Sequence, residues 1–334
     1  MKKLSYKKKS FLIKKSLKGK RRKRKYFPSD FALKIAHSQN PEFKEIWAYQ
    51  NLTLKFEDSR NVLELIRNIK KYCNKGYFIY LRLDNVEIIA EGAIAMLLSV
   101  ISDLEHQNIF FKGEKPKNET AKNILESSGF FSHMNGSISK KNNISKNKIL
   151  KTGNNDTDQK ELTPEIHKAM ETVWGVEARC PYLYGGIGEM MRNSCDHAFT
   201  NKKQIMWHLG ISHFELENSV KFSFVDNGSG ILNTYNKKGL IKKIVAFFSD
   251  DADILDAAFK NGIESRTGLS WRGKGLPTIF EMYQDEIVTN LVVITNKVYL
   301  DFDRKIVKTI PIEFSGTYYF WVINNTCKPA YFKI

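Results

Sequence analysis

The segment from Gly185 to Gly230 leaves this chain few ways to fold. Its first part runs Gly185-Gly186-Ile187-Gly188-Glu189-Met190-Met191-Arg192-Asn193-Ser194-Cys195-Asp196-His197-Ala198. Ile187, Met190, Met191, Ser194, Cys195 and Ala198 fall at i, i+3, i+4, i+7, i+8 and i+11, which predicts a helix with one small or apolar stripe. Glu189, Asn193 and His197 recur every four residues and share an adjoining face. A carboxylate and an amide one turn apart can hold a metal ion and orient a water together. The second part alternates Val220, Phe222 and Phe224 with Lys221 and Ser223, the period of a strand with one buried face. It ends in Val225-Asp226-Asn227-Gly228-Ser229-Gly230, where two glycines let backbone approach a ligand closely.

Two later blocks join these. Trp271-Arg272-Gly273-Lys274-Gly275-Leu276 leads into an apolar helical run that reaches Tyr283, so a glycine turn opens a helix, a natural seat for phosphate oxygens. Ser315-Gly316-Thr317 enters a strand from Tyr318 to Ile323. In order and spacing the four blocks resemble the GHKL ATPase superfamily (gyrase, histidine kinase and MutL type), which has the Bergerat fold. Glu189-x-x-x-Asn193-x-x-x-His197-Ala198 resembles its N box, Asp226-x-Gly228-x-Gly230 its G1 box and Gly273-x-Gly275-Leu276 its G2 box. The resemblance covers roughly Pro164 to Ile323.

That resemblance implies ATP and Mg²⁺ as ligands and gives each residue a role. Asn193 offers a neutral oxygen to Mg²⁺, a hard cation that keeps several waters and bridges phosphates. Glu189 takes a proton from an attacking water as general base. Asp226 accepts the amino group of adenine, while Gly228 and Gly230 lie against the base. Gly273 and Gly275 present backbone N–H groups to the phosphates, ahead of Leu276, with Lys274 or Arg272 adding charge. Thr317 sits near the adenine. The long segment from Ile231 to Ser270, with helices expected at Ile241–Phe248 and Ile254–Phe259, corresponds to a lid over the nucleotide. The expected architecture is an α/β sandwich with helices on one face of a mixed sheet. Its strands are expected at Gln204–Phe214, Ser219–Val225, Glu286–Thr295, Lys297–Phe302 and Gly316–Ile323, the last three completing an antiparallel sheet.

Phe31 to Phe131 reads as a separate α/β domain. Strands are expected at Trp47–Phe56, Tyr77–Leu83 and Ile109–Phe111. Val62, Leu65, Ile66 and Ile69 mark a helix, and Gly92–Leu104 and Thr120–Ser127 mark two more. Strands alternating with helices predict parallel pairing. The order, and the local run from Leu83 to Leu98, resemble a STAS domain, the fold of bacterial anti-anti-sigma factors. That family carries a phosphorylatable Ser or Thr after this strand, where this chain has Ala90-Glu91-Gly92. The departure implies a docking module for a protein partner rather than a phospho-switch. Residues 132–162 are rich in Asn, Lys, Ser, Gly and Asp and read as a linker, which leaves 163–334 as the ATP-binding domain.

Charge separates the remaining segment. The net charge is +17, yet 14 Lys and Arg and no acid lie between Met1 and Ser29, so the rest is nearly balanced. Residues 1–30 read as a basic tail, either solvated or in sequence-independent contact with nucleic acid phosphates. Cys73, Cys180, Cys195 and Cys327 are scattered without a Cys-x-x-Cys pair, which excludes a disulfide framework or a zinc ligand set and fits a reducing compartment. No apolar run approaches the ~20 residues of a membrane-spanning helix. The expectation is therefore a cytoplasmic protein, with no membrane partner. His167 is followed by Lys168 rather than an acid and has no paired dimerisation helices around it, which sets aside a phosphoacceptor role. The leading expectation is a GHKL-type ATPase used as a conformational switch on partner contacts. The alternatives are a serine/threonine kinase of anti-sigma-factor type and a nucleic-acid-associated binding protein with a silent nucleotide site. A homodimer is compatible with the resemblance, although no segment marks a dimer helix.

Overall fold

Among the described residues the strands form two parallel sheets near the N-terminus, of three and two strands, and one five-stranded antiparallel sheet. The computed structural model describes residues 43–105, 109, 111–128, 130, 147–152, 162–198, 207–237, 250–262 and 275–329. Residues 40–334 form one compact unit. The fold is α/β. The basic tail, the helix expected at Ile241–Phe248, and Arg272, Gly273 and Lys274 lie outside the described residues.

Both N-terminal sheets are parallel, as the alternation of strands and helices predicts. β1 (Phe43–Trp47), β3 (Phe78–Arg82) and β5 (Phe111–Gly113) pair in the order β1-β3-β5, and β2 (Asn51–Leu52) pairs with β4 (Ile88–Ile89). The single strand expected from Trp47 to Phe56 is broken. The Ala48 N–H still bonds Arg82 on β3, but the Gln50 carbonyl accepts from Glu87 and Ile88. A strand that changes partner from β3 to β4 cannot stay continuous.

Three helices connect these strands. α1 (Ser59–Cys73) buries Val62, Leu65, Ile66, Ile69 and Cys73, one face of a 3.6-residue period, and ends on Lys70 and Lys71, which suit a helix C-terminus. α2 (Glu91–Glu105) is apolar all round, and Ala93 through Leu98 are each at most 3% exposed. A helix of that kind must be covered on every side. α3 (Glu119–Ser127) is capped by Asn118, whose Oδ1 accepts the Ala121 N–H at 3.0 Å.

The five-stranded sheet has the order β6-β7-β8-β10-β9. Its strands are β6 (Asn147–Thr152), β7 (Trp207–Phe214), β8 (Ser219–Asp226), β9 (Thr289–Asp301) and β10 (Ile306–Asn324). Pairing is antiparallel throughout, as expected of its last strands, so the sheet is not mixed. The two strands expected at Glu286–Thr295 and Lys297–Phe302 are one, β9, which runs through Asn296 at φ 53°. β10 begins ten residues before Gly316 and reaches it through register shifts. The stretch read as a linker supplies β6, which pairs with β7 at the sheet edge. Its short Lys148-Ile149-Leu150-Lys151 core is too brief to stand out against Lys- and Asn-rich neighbours.

Helices cover both faces of this sheet, not one. On the first face lie α4 (Leu162–Trp174), α5 (Pro181–Ala198), α7 (Asp251–Asn261) and α8 (Gly275–Gln284), while α6 (Ile231–Lys237) follows β8. Their apolar stripes meet Leu209, Phe222, Phe224, Tyr319 and Trp321 in one core. Trp321 stacks on Phe222 with centroids 5.2 Å apart, an arrangement that adds about 0.5–1.5 kcal/mol beyond area burial.

On the second face α2 packs over β7 and β8, and α1 over β10. The Tyr299 hydroxyl donates to the Leu54 carbonyl at 3.0 Å, and Arg304 pairs with Glu57 at 2.5 Å. A Cβ on Gly92 would overlap the Tyr318 hydroxyl, so glycine there lets α2 start against β10. A cavity of about 780 Å³ remains on this face, among Leu54, Ile88, Gly92, Tyr318, Phe320 and Val322.

Candidate functional site

Asp226 ends β8 between two partners, Trp207 on β7 and Thr317 on β10. It is 6% exposed. Burial pushes its carboxyl above the usual carboxylate range, and hydrogen bonds from Gly228, Ser194 and Thr317 pull it part of the way back. The Gly228 N–H donates to Oδ1 at 2.8 Å, closing an Asx turn. The Ser194 hydroxyl, on α5, lies 3.0 Å from Oδ2 and 2.9 Å from the Met190 carbonyl. It has one proton, so it can turn from the carboxylate and free an acceptor site. A Cβ on Gly316 would overlap the Asp226 carbonyl, and that close approach is what sets Thr317 beside the carboxylate.

The glycine turn after Asp226 is held by a pair of β9 residues. Thr295 Oγ1 accepts the Ile231 N–H at 3.0 Å and donates to the Gly316 carbonyl at 2.8 Å. Asn296 accepts the Leu232 N–H through Oδ1 and donates to the Ser229 carbonyl through Nδ2, both at 3.0 Å. Gly230 has φ +79°, and a Cβ there would come within 2.5 Å of the Asn296 amide. Glycine is therefore required twice over, for its backbone and for its lack of a side chain.

Glu189 and Asn193 lie on α5, the helix that also carries Ser194. Both are half-buried, and Arg192 pairs with Glu189 Oε1. They face the start of α8. A Cβ on Gly275 would lie 2.9 Å from Glu189 Oε2 and 3.6 Å from the Asn193 amide. Leu276, next along, is buried in the core below. From Glu189 to Ser194 is five residues, about 7.5 Å of helix rise. Glu189 and the Asp226-facing Ser194 are thus separated along α5.

The structure groups Asp226, Gly228, Gly230 and Thr317 around the end of β8 and its glycine turn, and Glu189, Asn193 and Gly275 where α5 meets α8. The side chain of His197 lies outside the described residues. His208 and His213 are buried on β7, as members of the strand, and the His213 Nδ1 is 2.7 Å from the Thr172 hydroxyl. Sequence reasoning missed Thr295 and Asn296, and took Ser194 only as a small residue of the stripe. The one available signal was a polar Thr-Asn pair closing the apolar run Leu291 to Ile294.

None of the four cysteines forms a disulfide, and all four are buried. Among the described residues, no group of three or more His, Cys, Asp or Glu could hold a metal ion, and no helix is long and apolar enough to cross a membrane. A scan against protein-family models and a search of curated proteins both return no match for this chain.

Proposed function

We propose that residues 163–334 bind ATP in the manner of the GHKL superfamily and hydrolyse it with Mg²⁺, as a switch on contacts with a protein partner. One observation carries the reading: a buried carboxyl group, with no cation beside it among the described residues, fixed at a strand end by a glycine turn, a threonine and a serine. Such a group is stabilised by a ligand that donates to it, and the amino group of adenine is such a donor. A guanine carbonyl at the same place would repel it. The contact of α5 with α8 supports the reading with a carboxylate and a carboxamide beside a helix start.

The residues divide the chemistry. Asp226 holds the base, and Thr317 and Ser194 orient the carboxylate. Arg192 fixes Glu189 Oε1, leaving Oε2 to take a proton from water. Asn193 would hold Mg²⁺ through its amide oxygen, with phosphate oxygens and waters as the other ligands. When bound, the ion supplies charge stabilisation to the phosphoryl group in transfer. α8 starts at Gly275 beside Glu189 and Asn193, where its first N–H groups would meet phosphate oxygens. We further propose a cytoplasmic protein whose N-terminal module makes the partner contact.

The test is ATP turnover with Mg²⁺ by the wild type, Glu189→Ala and Asn193→Ala, with nucleotide binding measured on the same samples. Glu189→Ala should retain binding within about threefold and lose turnover by at least ~10²-fold. Binding without turnover in the wild type would move the reading to a protein kinase or a silent site. Absence of binding would overturn it.

A further inference from the structure

The glycine turn is anchored on a second side, to the N-terminal module. Asn227 follows Asp226 in the turn and donates Nδ2–H to the Ser99 carbonyl at 2.9 Å, in the middle of α2. Its Oδ1 is buried and takes no hydrogen bond among the described residues. An amide held with one end unsatisfied carries a cost that the Ser99 bond must offset. The acceptor is firm. Ser99 is 0% exposed, its hydroxyl bonds the Met96 carbonyl, and its neighbours Leu98, Val100 and Ile101 are buried. A shift of the Asp226–Gly230 turn therefore either carries α2 with it or breaks this bond.

We infer that Asn227 is a positioning residue that couples the proposed ATP site to the docking of the N-terminal sheet through α2. The inference rests on the ATP reading above. Coupling of this kind is reciprocal. If the α2 contact sets the turn for nucleotide, nucleotide in turn holds α2 in place. The N-terminal module thereby reads the occupancy of a site that it does not line.

The test combines nucleotide affinity with hydrogen exchange of residues 91–105, measured by mass spectrometry on the full chain. Asn227→Ala removes the donor, Asn227→Asp replaces it with an acceptor of the same shape, and Asn227→Gln keeps an amide. We expect Ala and Asp to weaken ATP binding about tenfold, with Gln closer to wild type and melting temperatures little changed. ATP should slow exchange in residues 91–105 of the wild type and not of Asn227→Ala. Unchanged affinity, or ATP protection of residues 91–105 that persists in Asn227→Ala, overturns the coupling. An Asp226→Asn control separates the two failures. If it loses ATP while Asn227→Ala does not, the site stands and the coupling falls. If the wild type binds no nucleotide, the site itself is lost and the coupling to it falls with it; faster nucleotide-free exchange in Asn227→Ala would then report only a structural tie.

Discussion

Asp226 works against the fold that holds it. Its carboxyl is raised by burial, so the folded protein binds that proton more tightly than the unfolded chain does. The stabilisation this gives is complete below the unfolded value near 3.9 and is lost as pH rises through the raised folded value. Above that raised value the ionised, buried Asp226 is a net burden on the fold. Above that pH, Asp226→Asn should therefore raise the melting temperature, while weakening the proposed ATP binding at least about tenfold. Thermal melts beside nucleotide titrations check both halves. The proposed adenine contact needs the carboxylate form, so affinity in the wild type should also fall as pH drops through the raised value. Asp226, Thr317, Glu189 and Asn193 were legible because their types and spacings form a pattern along the chain. Ser194, Thr295 and Asn296 were not. Ser194 acts on a residue 32 positions away, and Thr295 and Asn296 each act on one 64 positions away. Nothing local marks a hydroxyl that will serve a distant carboxylate.

The contact between α5 and α8 makes a sharper claim about geometry. Gly275 lies at the first position of α8, where alanine is a better helix former by about 1 kcal/mol. An added Cβ would push on Glu189 Oε2, the end of a side chain that can swing aside. Gly275→Ala should thus leave the melting temperature unchanged or higher and lower turnover about tenfold or more, because the base is displaced. Steady-state kinetics with a parallel melt would show it, and normal turnover would remove Glu189 from the role of base. The helices themselves were read well, since α1, α2, α4 and α8 follow long apolar periods. β6 and the single β9 were read poorly. Six residues in a polar stretch carry little periodicity, and an asparagine with positive φ interrupts the alternation within β9 without ending its pairing. The covering of the sheet's second face was implicit in α2, whose apolar residues leave no side for water, although its partner could not be named from sequence.

Docking of the N-terminal sheet leaves the C-terminal half dependent on it. β8 is buried along almost its whole length on both faces. A fragment spanning residues 145–334 would expose Val225, Ile294, Tyr318, Phe320 and Val322 together. Such a patch favours association over a soluble monomer. We expect that fragment to aggregate or melt well below the full chain, as size-exclusion chromatography and thermal denaturation would reveal; a stable, monodisperse fragment would show the two sheets to be separable.

β10 is where these demands meet. Its odd-numbered residues Thr317, Tyr319 and Trp321 serve the carboxylate and the helical core, and its even-numbered residues Tyr318, Phe320 and Val322 serve the docking face. The phase of that alternation is set at the register shift between Phe314 and Thr317. A deletion or insertion of one residue past that shift would exchange the two sets at a stroke, putting phenol against the carboxylate and threonine against α2. The strand is thus a two-sided key cut from one blank, and neither edge can be recut alone.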